Sequence, residues 1–293
     1  MATGLPSRRR RYLIFKVWAL LSLVRWYSVL IVAVALYLSA CYLFNPGIIP
    51  KAKVFFDIGL HIEVLALSLF IMSGFIINAF YDVEKDLINR PHRTVIDRHI
   101  SRRFSLNCYF AFIILAAILS LFTGWKVFLV NLLFSAVLWA YSHKLQNKRF
   151  IGEMGAALLT VAPFFSLALY YENVTWRMLE FIALIFIVLI EREFLKRIMA
   201  VKGDFVLGHR SIPVTFGERK AAVNVLFLSV ISIAQLSFFL RFLHHGAPAV
   251  TFVVVIALQA MAIGLWLLKK DYGRMDSVLK AIIVLMVVSI PFI

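Results

Sequence analysis

The chain has 293 residues, 62% of them hydrophobic, with a formal net charge of +16 and a mean hydropathy of +0.91. A soluble domain of this length has no use for so much apolar surface, and its continuous apolar runs exclude a β-barrel, whose strands alternate. The chain reads as an all-α, polytopic membrane protein.

From the N-terminus, Arg8-Arg-Arg-Arg11 ahead of an apolar run has the form of a signal sequence, and Leu38-Ser-Ala-Cys41 matches a lipoprotein-type cleavage box. The basic region is long and further spans follow, so the first span is expected to be retained. About nine transmembrane helices are expected, at 26–44, 60–80, 104–123, 126–142, 154–171, 178–195, 222–243, 248–268 and 277–293. Pro46 and Pro50 punctuate the first loop, and Gly246 with Pro248 a later one. No linker or low-complexity tract divides the chain, so 1–293 is expected to form one domain. Cys41 and Cys108 lie in apolar segments and read as core residues. Asn173-Val-Thr175 is a formal glycosylation tripeptide.

With the N-terminus cytoplasmic, 26 of the 31 Lys and Arg residues fall on the cytoplasmic side. This is the positive-inside signature, and it accounts for the charge without nucleic acid. Anionic membrane lipids or an anionic substrate are the partners such a surface suits. The same face carries the two long polar loops, Asp82 to Arg103 and Arg192 to Lys220.

The first of these loops leaves its span through Asn78-x3-Asp82-x3-Asp86. Residues four apart project from nearly one face of a helix, a turn from each other. Oxygen ligands so spaced suit Mg2+, which keeps several waters and shares phosphate oxygens with a substrate; Arg90, His92 and Arg93 follow. Spacing alone equally allows a solvated helix end paired locally to Lys85 and Arg90. The second loop runs Glu191-Arg-Glu193-Phe-Leu-Lys196-Arg197-Ile-Met-Ala200-Val-Lys202-Gly203-Asp204, then Gly208-His-Arg210-Ser211-Ile-Pro213. Gly203 and Gly208 would let backbone wrap an anion, and a plain basic connector is the other reading.

Together, Asn78-x3-Asp82-x3-Asp86 with Asn89-Arg-Pro-His-Arg93, Tyr141-Ser142, Gly203-Asp204, Gly208-x-Arg210-Ser211-Ile-Pro213 and Phe216-Gly217 resemble the signatures of the UbiA superfamily of intramembrane prenyltransferases. The resemblance spans essentially the whole chain. It implies nine helices around a central cavity open to lipid, with two aspartate-rich motifs holding Mg2+ and the diphosphate of an isoprenyl donor. The implied reaction is a Mg-dependent isoprenyl transfer, through an allylic carbocation, to an aromatic or glycerol-phosphate-type acceptor. On this resemblance Asn78, Asp82, Asp86 and Asp204 hold metal, the three aspartates also being catalytic. Arg93, Lys144, Arg197, Lys202 and Arg210 bind diphosphate. Phe80, Tyr81, Trp139 and Tyr141 are aromatic neighbours for the cation.

The chain also departs from the family pattern. Ala200 stands where the second motif has its first aspartate, Arg197 and Lys202 occupy usually acidic positions, Gln146 replaces a Lys, and Glu153 replaces an Asn. One implication is that Arg197 and Lys202 take over part of the metal's work, since guanidinium and ammonium groups neutralise diphosphate directly. The alternatives are a catalytically impaired relative that binds lipid or a partner, and a sugar-phosphate transferase acting on polyprenyl phosphate. A transporter suits the sequence less well, because the carboxylates sit at span ends and not at the midplane.

Overall fold

The computed structural model describes residues 8–44, 50–89, 100–240 and 247–292. Arg90, His92 and Arg93 lie outside the described residues, and so does the end of the expected seventh span. Among the described residues the chain is helical throughout: α1 (Arg8–Leu23), α2 (Trp26–Tyr42), α3 (Lys51–Phe55), α4 (Ile58–Tyr81), α5 (Val83–Asn89), α6 (Arg102–Leu121), α7 (Trp125–His143), α8 (Ile151–Tyr170), α9 (Trp176–Met199), α10 (Val201–Val206), α11 (Ile212–Phe216), α12 (Glu218–Leu240), α13 (Ala247–Lys269) and α14 (Tyr272–Ser289).

Each expected span falls on one helix: α2, α4, α6, α7, α8, α9, α12, α13 and α14. Among the described residues seven of these are long and apolar enough to cross a membrane, and Phe15–Leu23 with α2 passes the same test only as a pair bent by 54°. Helix α9 has the length, at 24 residues, but Glu191 to Arg197 make its last two turns polar. The protein is an integral membrane protein.

Local chemistry sets the helix starts. The Asp57 carboxylate accepts from the Gly59 N–H at 2.9 Å to open α4, and Ser101 caps α6 through the Phe104 N–H. Thr175 caps α9 by accepting from the Met178 N–H. Each side chain satisfies a donor that the first helical turn leaves without a partner. Thr175 also donates to the Leu43 carbonyl and Asn173 to the Phe44 carbonyl, so the glycosylation tripeptide clamps the end of α2 to the start of α9.

Helix α4 lies inside the bundle, packed on α2, α6 and α7, while α9 packs on α8, α12 and α14. Two-thirds of α4's apolar window (67%) is buried but only 17% of α6's, which leaves α6 facing lipid. The main core, including Leu36, Leu67, Leu167, Phe181, Leu195 and Leu279, joins α2, α4, α8, α9 and α14. The basic segment Arg8–Leu23 adds a helix that apolar span counting omits: polar at its start, it carries exposed Phe15, Val17 and Trp18 further on. A helix of that composition suits the membrane interface.

Candidate active site

At one end of the bundle the C-terminus of α4, α5, the α7–α8 turn, the end of α9, and α10 come together. Helix α4 stops at Asp82, whose backbone (φ −92°, ψ 6°) leaves helical geometry. The Asp86 N–H still bonds back to the Asp82 carbonyl at 2.9 Å, so α5 resumes at once with Asp86 one turn on. Asn78 donates to Asp82 Oδ2 at 3.0 Å, and Gln146 donates to Asp82 Oδ1 at 2.9 Å. Gln146 is fixed in turn by its bond to the Ser142 carbonyl at 2.9 Å. Burial pushes the Asp82 carboxyl above its usual range; Lys85 opposes the rise, Asp86 adds to it, and Arg197 and the Gln146 bond oppose it. The charge of Asp82 is therefore held at a cost that a divalent cation would relieve.

Asp204 has a different environment. It is fully buried, and Lys85 Nζ lies 2.5 Å from its Oδ1. Arg197 Nη1 approaches Oδ2 at 3.9 Å, and His209 Nδ1 lies 3.5 Å from Oδ1. Burial pushes its carboxyl up, but Lys85 by charge and hydrogen bond, followed by Arg197 and Ser211, holds it below the usual carboxylate range. Arg197 also donates to the Gln146 carbonyl and lies 3.7 Å from the buried Glu153. Gln146 thus ties both motifs together: its side chain holds Asp82, and its carbonyl holds Arg197.

Helices α5 and α10 meet closely. The Gly203 N–H donates to Asn89 Oδ1 at 3.0 Å, and a Cβ at Gly203 would overlap the Asn89 amide. Gly203 was expected to wrap an anion; it makes room for Asn89 instead. Gly208 has φ +68°, the left-handed region glycine tolerates. Of the other candidates, Lys144 and Lys202 are exposed. Arg210 lines a cleft of about 450 Å³ with Asn147, Lys148, Arg149, Gly208 and His209, a set of cations that spacing alone did not group. Among the aromatic candidates, Tyr81 packs edge-on to His143, and Trp139 stacks on the same ring. Tyr141 instead donates to the Gly152 carbonyl at 2.9 Å, tying α7 to α8.

The sequence reading set Lys85, Gln146 and Glu153 aside from the binding groups. Lys85 follows Asp82 by three residues, and its side chain crosses to the other loop. A cation between two motif aspartates was the available signal, but its direction depended on where α5 packs. As to Mg2+, among the described residues no three His, Cys, Asp or Glu side chains converge into a cage. Mg2+ is usually held by one or two carboxylates together with waters and substrate phosphates. Asp82 and Asp86 fit that donor set; Asp204, engaged by Lys85 and Arg197, does not present itself as the centre of a second site.

A family model described as the UbiA prenyltransferase family matches residues 46–286. A digeranylgeranylglyceryl phosphate synthase of Korarchaeum cryptofilum is 31% identical over 209 residues, which are 70% of this chain and 73% of that one. The same enzyme of Thermococcus gammatolerans is 32% identical over 192 residues, 64% of this chain and 66% of that one. Among solved structures, a UbiA homolog from Archaeoglobus fulgidus bound to GPP and Mg2+ superposes with a TM-score of 0.63 at 16% identity, covering 92% of this chain and 99% of that one. A UbiA homolog from Aeropyrum pernix K1 superposes with a TM-score of 0.70 at 15% identity, covering 89% and 96%.

Proposed function

The chain belongs to the UbiA prenyltransferase family, and from that premise we propose that it transfers an isoprenyl group from an isoprenyl diphosphate to the hydroxyl of a glycerol-phosphate-type lipid. The observation that carries this reading is the convergence at one bundle end of Asn78–Asp82, Gln146, Arg197 and Asp204, where carboxylates and cations alternate as a diphosphate site needs. The relatives' name supplies the acceptor class. An aromatic acceptor has no such support. The whole chain acts as one domain, and the placement of Lys and Arg supports a cytoplasmic orientation for this end and the N-terminus.

In the reaction, the bond between the allylic carbon and the diphosphate oxygen breaks, and its electrons leave with the diphosphate. The acceptor hydroxyl oxygen then bonds to that carbon, and its proton is released to water at the site's mouth. Asp82 and Asp86 would hold Mg2+, which supplies the positive charge that stabilises the departing diphosphate. Asn78 and Gln146 orient Asp82. Arg197, kept charged beside Asp204 and Glu153, faces the same anion from α9. Lys144, Lys202 and Arg210 are the outer cations that draw the diphosphate to the site, and Arg93 is proposed to bind the same diphosphate. The apolar interior shields the allylic cation from water.

The test is purified protein in nanodiscs with radiolabelled geranylgeranyl diphosphate and geranylgeranylglyceryl phosphate, with and without Mg2+. Mg2+-dependent release of diphosphate together with a doubly prenylated lipid is expected. Donor binding without release would instead mark a relative that has lost its chemistry. Because Asp204 is already neutralised by cations, Asp82→Asn should lower turnover on the order of 100-fold, the scale of one lost charge-stabilising group. Asp204→Asn should lower it less, and equal losses would refute the division of labour between the two motifs.

A further inference from the structure

Beside the diphosphate site lies the cleft lined by Asn147, Lys148, Arg149, Gly208, His209 and Arg210. Apart from Arg210, none of these has a part in the reaction as described. One wall of the cleft is the α7–α8 turn and the other is the loop between α10 and α11. Asn147 follows Gln146, which holds Asp82, and His209 faces Asp204 at 3.5 Å. Helices α7 and α8 are both long and apolar enough to cross the membrane, so the turn joining them lies at its surface. That turn sends two neighbouring side chains in different directions. The Ile151 N–H bonds to the Arg149 carbonyl at 2.6 Å, closing a γ-turn on Phe150. The φ of 57° and ψ of −44° at Phe150 are strained for a residue other than glycine. Phe150 packs against Phe194 of α9, while the Arg149 guanidinium crosses to Phe216 at the end of α11, 5.6 Å from its ring centroid. Strained backbone of this kind collects at ligand clamps.

Three cations, Lys148, Arg149 and Arg210, line the cleft, and no carboxylate does. Among the described residues none of the three has a carboxylate within ion-pair distance. Lys85 and Arg197 differ in this respect, since both are engaged by Asp204. The buried Asn147 Oδ1 and His209 Nδ1 have no hydrogen-bond partner among the described residues, and such groups are costly until something satisfies them. A Cβ on Gly208 would meet nothing within 4 Å, so the space above it is open. At about 450 Å³ the cleft holds roughly fifteen water volumes, more than a bare phosphate needs. The same two walls expose Ile151, Phe205, Val206 and Phe216. Unpaired cations beside exposed apolar side chains at a membrane surface fit an amphiphile, whose phosphate meets the charge and whose chains cover the apolar rim.

We infer that this cleft seats the phosphate head of a membrane lipid, held by Lys148, Arg149 and Arg210, with the lipid's chains along the exposed Phe205 and Val206. A phosphorylated acceptor and an anionic phospholipid of the bilayer share that head chemistry. The occupied cleft ties the α7–α8 turn to the α10–α11 loop, and so braces Gln146 and His209 at the edge of the diphosphate site. The inference goes beyond the proposed reaction and needs no transfer to take place.

The full chain in nanodiscs of neutral phosphatidylcholine, with geranylgeranylglyceryl phosphate or phosphatidylglycerol added, tests this. Lipid retention is read by native mass spectrometry and its place by hydrogen exchange. Either lipid, where retained, should slow exchange in 145–149 and 207–211 of wild type. In Arg149→Gln retention should fall on the order of tenfold, the scale of one charge-assisted hydrogen bond. Its melting temperature and its KM for geranylgeranyl diphosphate should be unchanged. Lys148→Gln should give the same fall, and it carries the test should Arg149→Gln not fold. A fall confined to geranylgeranylglyceryl phosphate identifies the acceptor as the occupant; a fall that includes phosphatidylglycerol identifies bilayer lipid, and both support the subsite. No retention by wild type, or equal retention by wild type and both variants, overturns it, as does protection outside the two segments. Inorganic phosphate that protects these segments at the same concentration as lipid marks a free-anion site and overturns the lipid assignment. If wild type retains lipid here yet transfers nothing, the subsite stands and the proposed function fails.

Discussion

Two amides fix the orientation of the Asp82 carboxylate: Asn78 from its own helix and Gln146 from the α7–α8 turn. Groups that orient a metal-binding carboxylate typically change metal affinity or activity by about 10- to 100-fold when removed. Gln146→Leu should therefore raise the Mg2+ concentration needed for half-maximal turnover by about that factor, leaving the melting temperature nearly unchanged. A Mg2+ titration of activity is the measurement. Gln146→Lys, which puts back the family's usual cation, should act differently: an ammonium beside Asp82 competes with the metal, so the requirement for Mg2+ should rise while diphosphate affinity is kept. The Lys85–Asp204 pair is a second residue-level case. Removing one partner of a buried ion pair typically costs about 3–5 kcal/mol because a charge is left uncompensated, and Arg197 at 3.9 Å offsets only part of that loss. Lys85→Met should lower stability by a few kcal/mol on that scale, and adding Asp204→Asn should recover most of it. A double-mutant cycle in denaturant reads the coupling directly.

At the scale of elements, the short helices α5 and α10 are the joint between the two motifs. Seven residues and six residues are too few to be stable alone, so the pair depends on the Gly203–Asn89 contact and the Lys85–Asp204 bridge. Gly203→Val should push α10 from α5 while the long helices stay packed. The expected result is faster hydrogen exchange across Val201–Val206 and loss of diphosphate binding, with helix content unchanged by circular dichroism. Protection equal to wild type would show that the close approach is dispensable.

On the scale of the whole molecule, polar networks inside the bundle fix which helices are neighbours. Glu63, fully buried in α4, accepts from Thr123 beyond α6 at 2.9 Å, from Asn131 of α7 at 2.9 Å and from Ser166 of α8 at 2.8 Å. Asn131 also donates to Ser120 of α6 at 2.8 Å. On the other side, Glu191 of α9 accepts from Ser229 of α12 at 2.6 Å and from Gln259 of α13. Interhelical hydrogen bonds in membranes average about 0.6 kcal/mol and reach about 1.7. Glu63→Leu, which removes three, should destabilise the bundle by about 2 kcal/mol, as read by unfolding in detergent mixtures, with Mg2+-dependent donor binding retained. A loss of donor binding at unchanged stability would give Glu63 a role beyond packing.

The sequence by itself determined the class and the helices. Long apolar runs, which in a membrane must satisfy their own backbone, leave little freedom about secondary structure, and the nine expected spans each landed on one helix. The spacing of Asn78 and Asp82 also carried into the structure, because Asp82 caps the end of the helix that bears Asn78 and their geometry is local. Partnerships across the bundle were a different matter. That Lys85 reaches Asp204, and that Gln146 holds Asp82 with its side chain and Arg197 with its carbonyl, depend on how separate helices are rotated and stacked. Those rotations are set by packing among residues far apart in the chain. Only the tertiary structure decided which charges would meet.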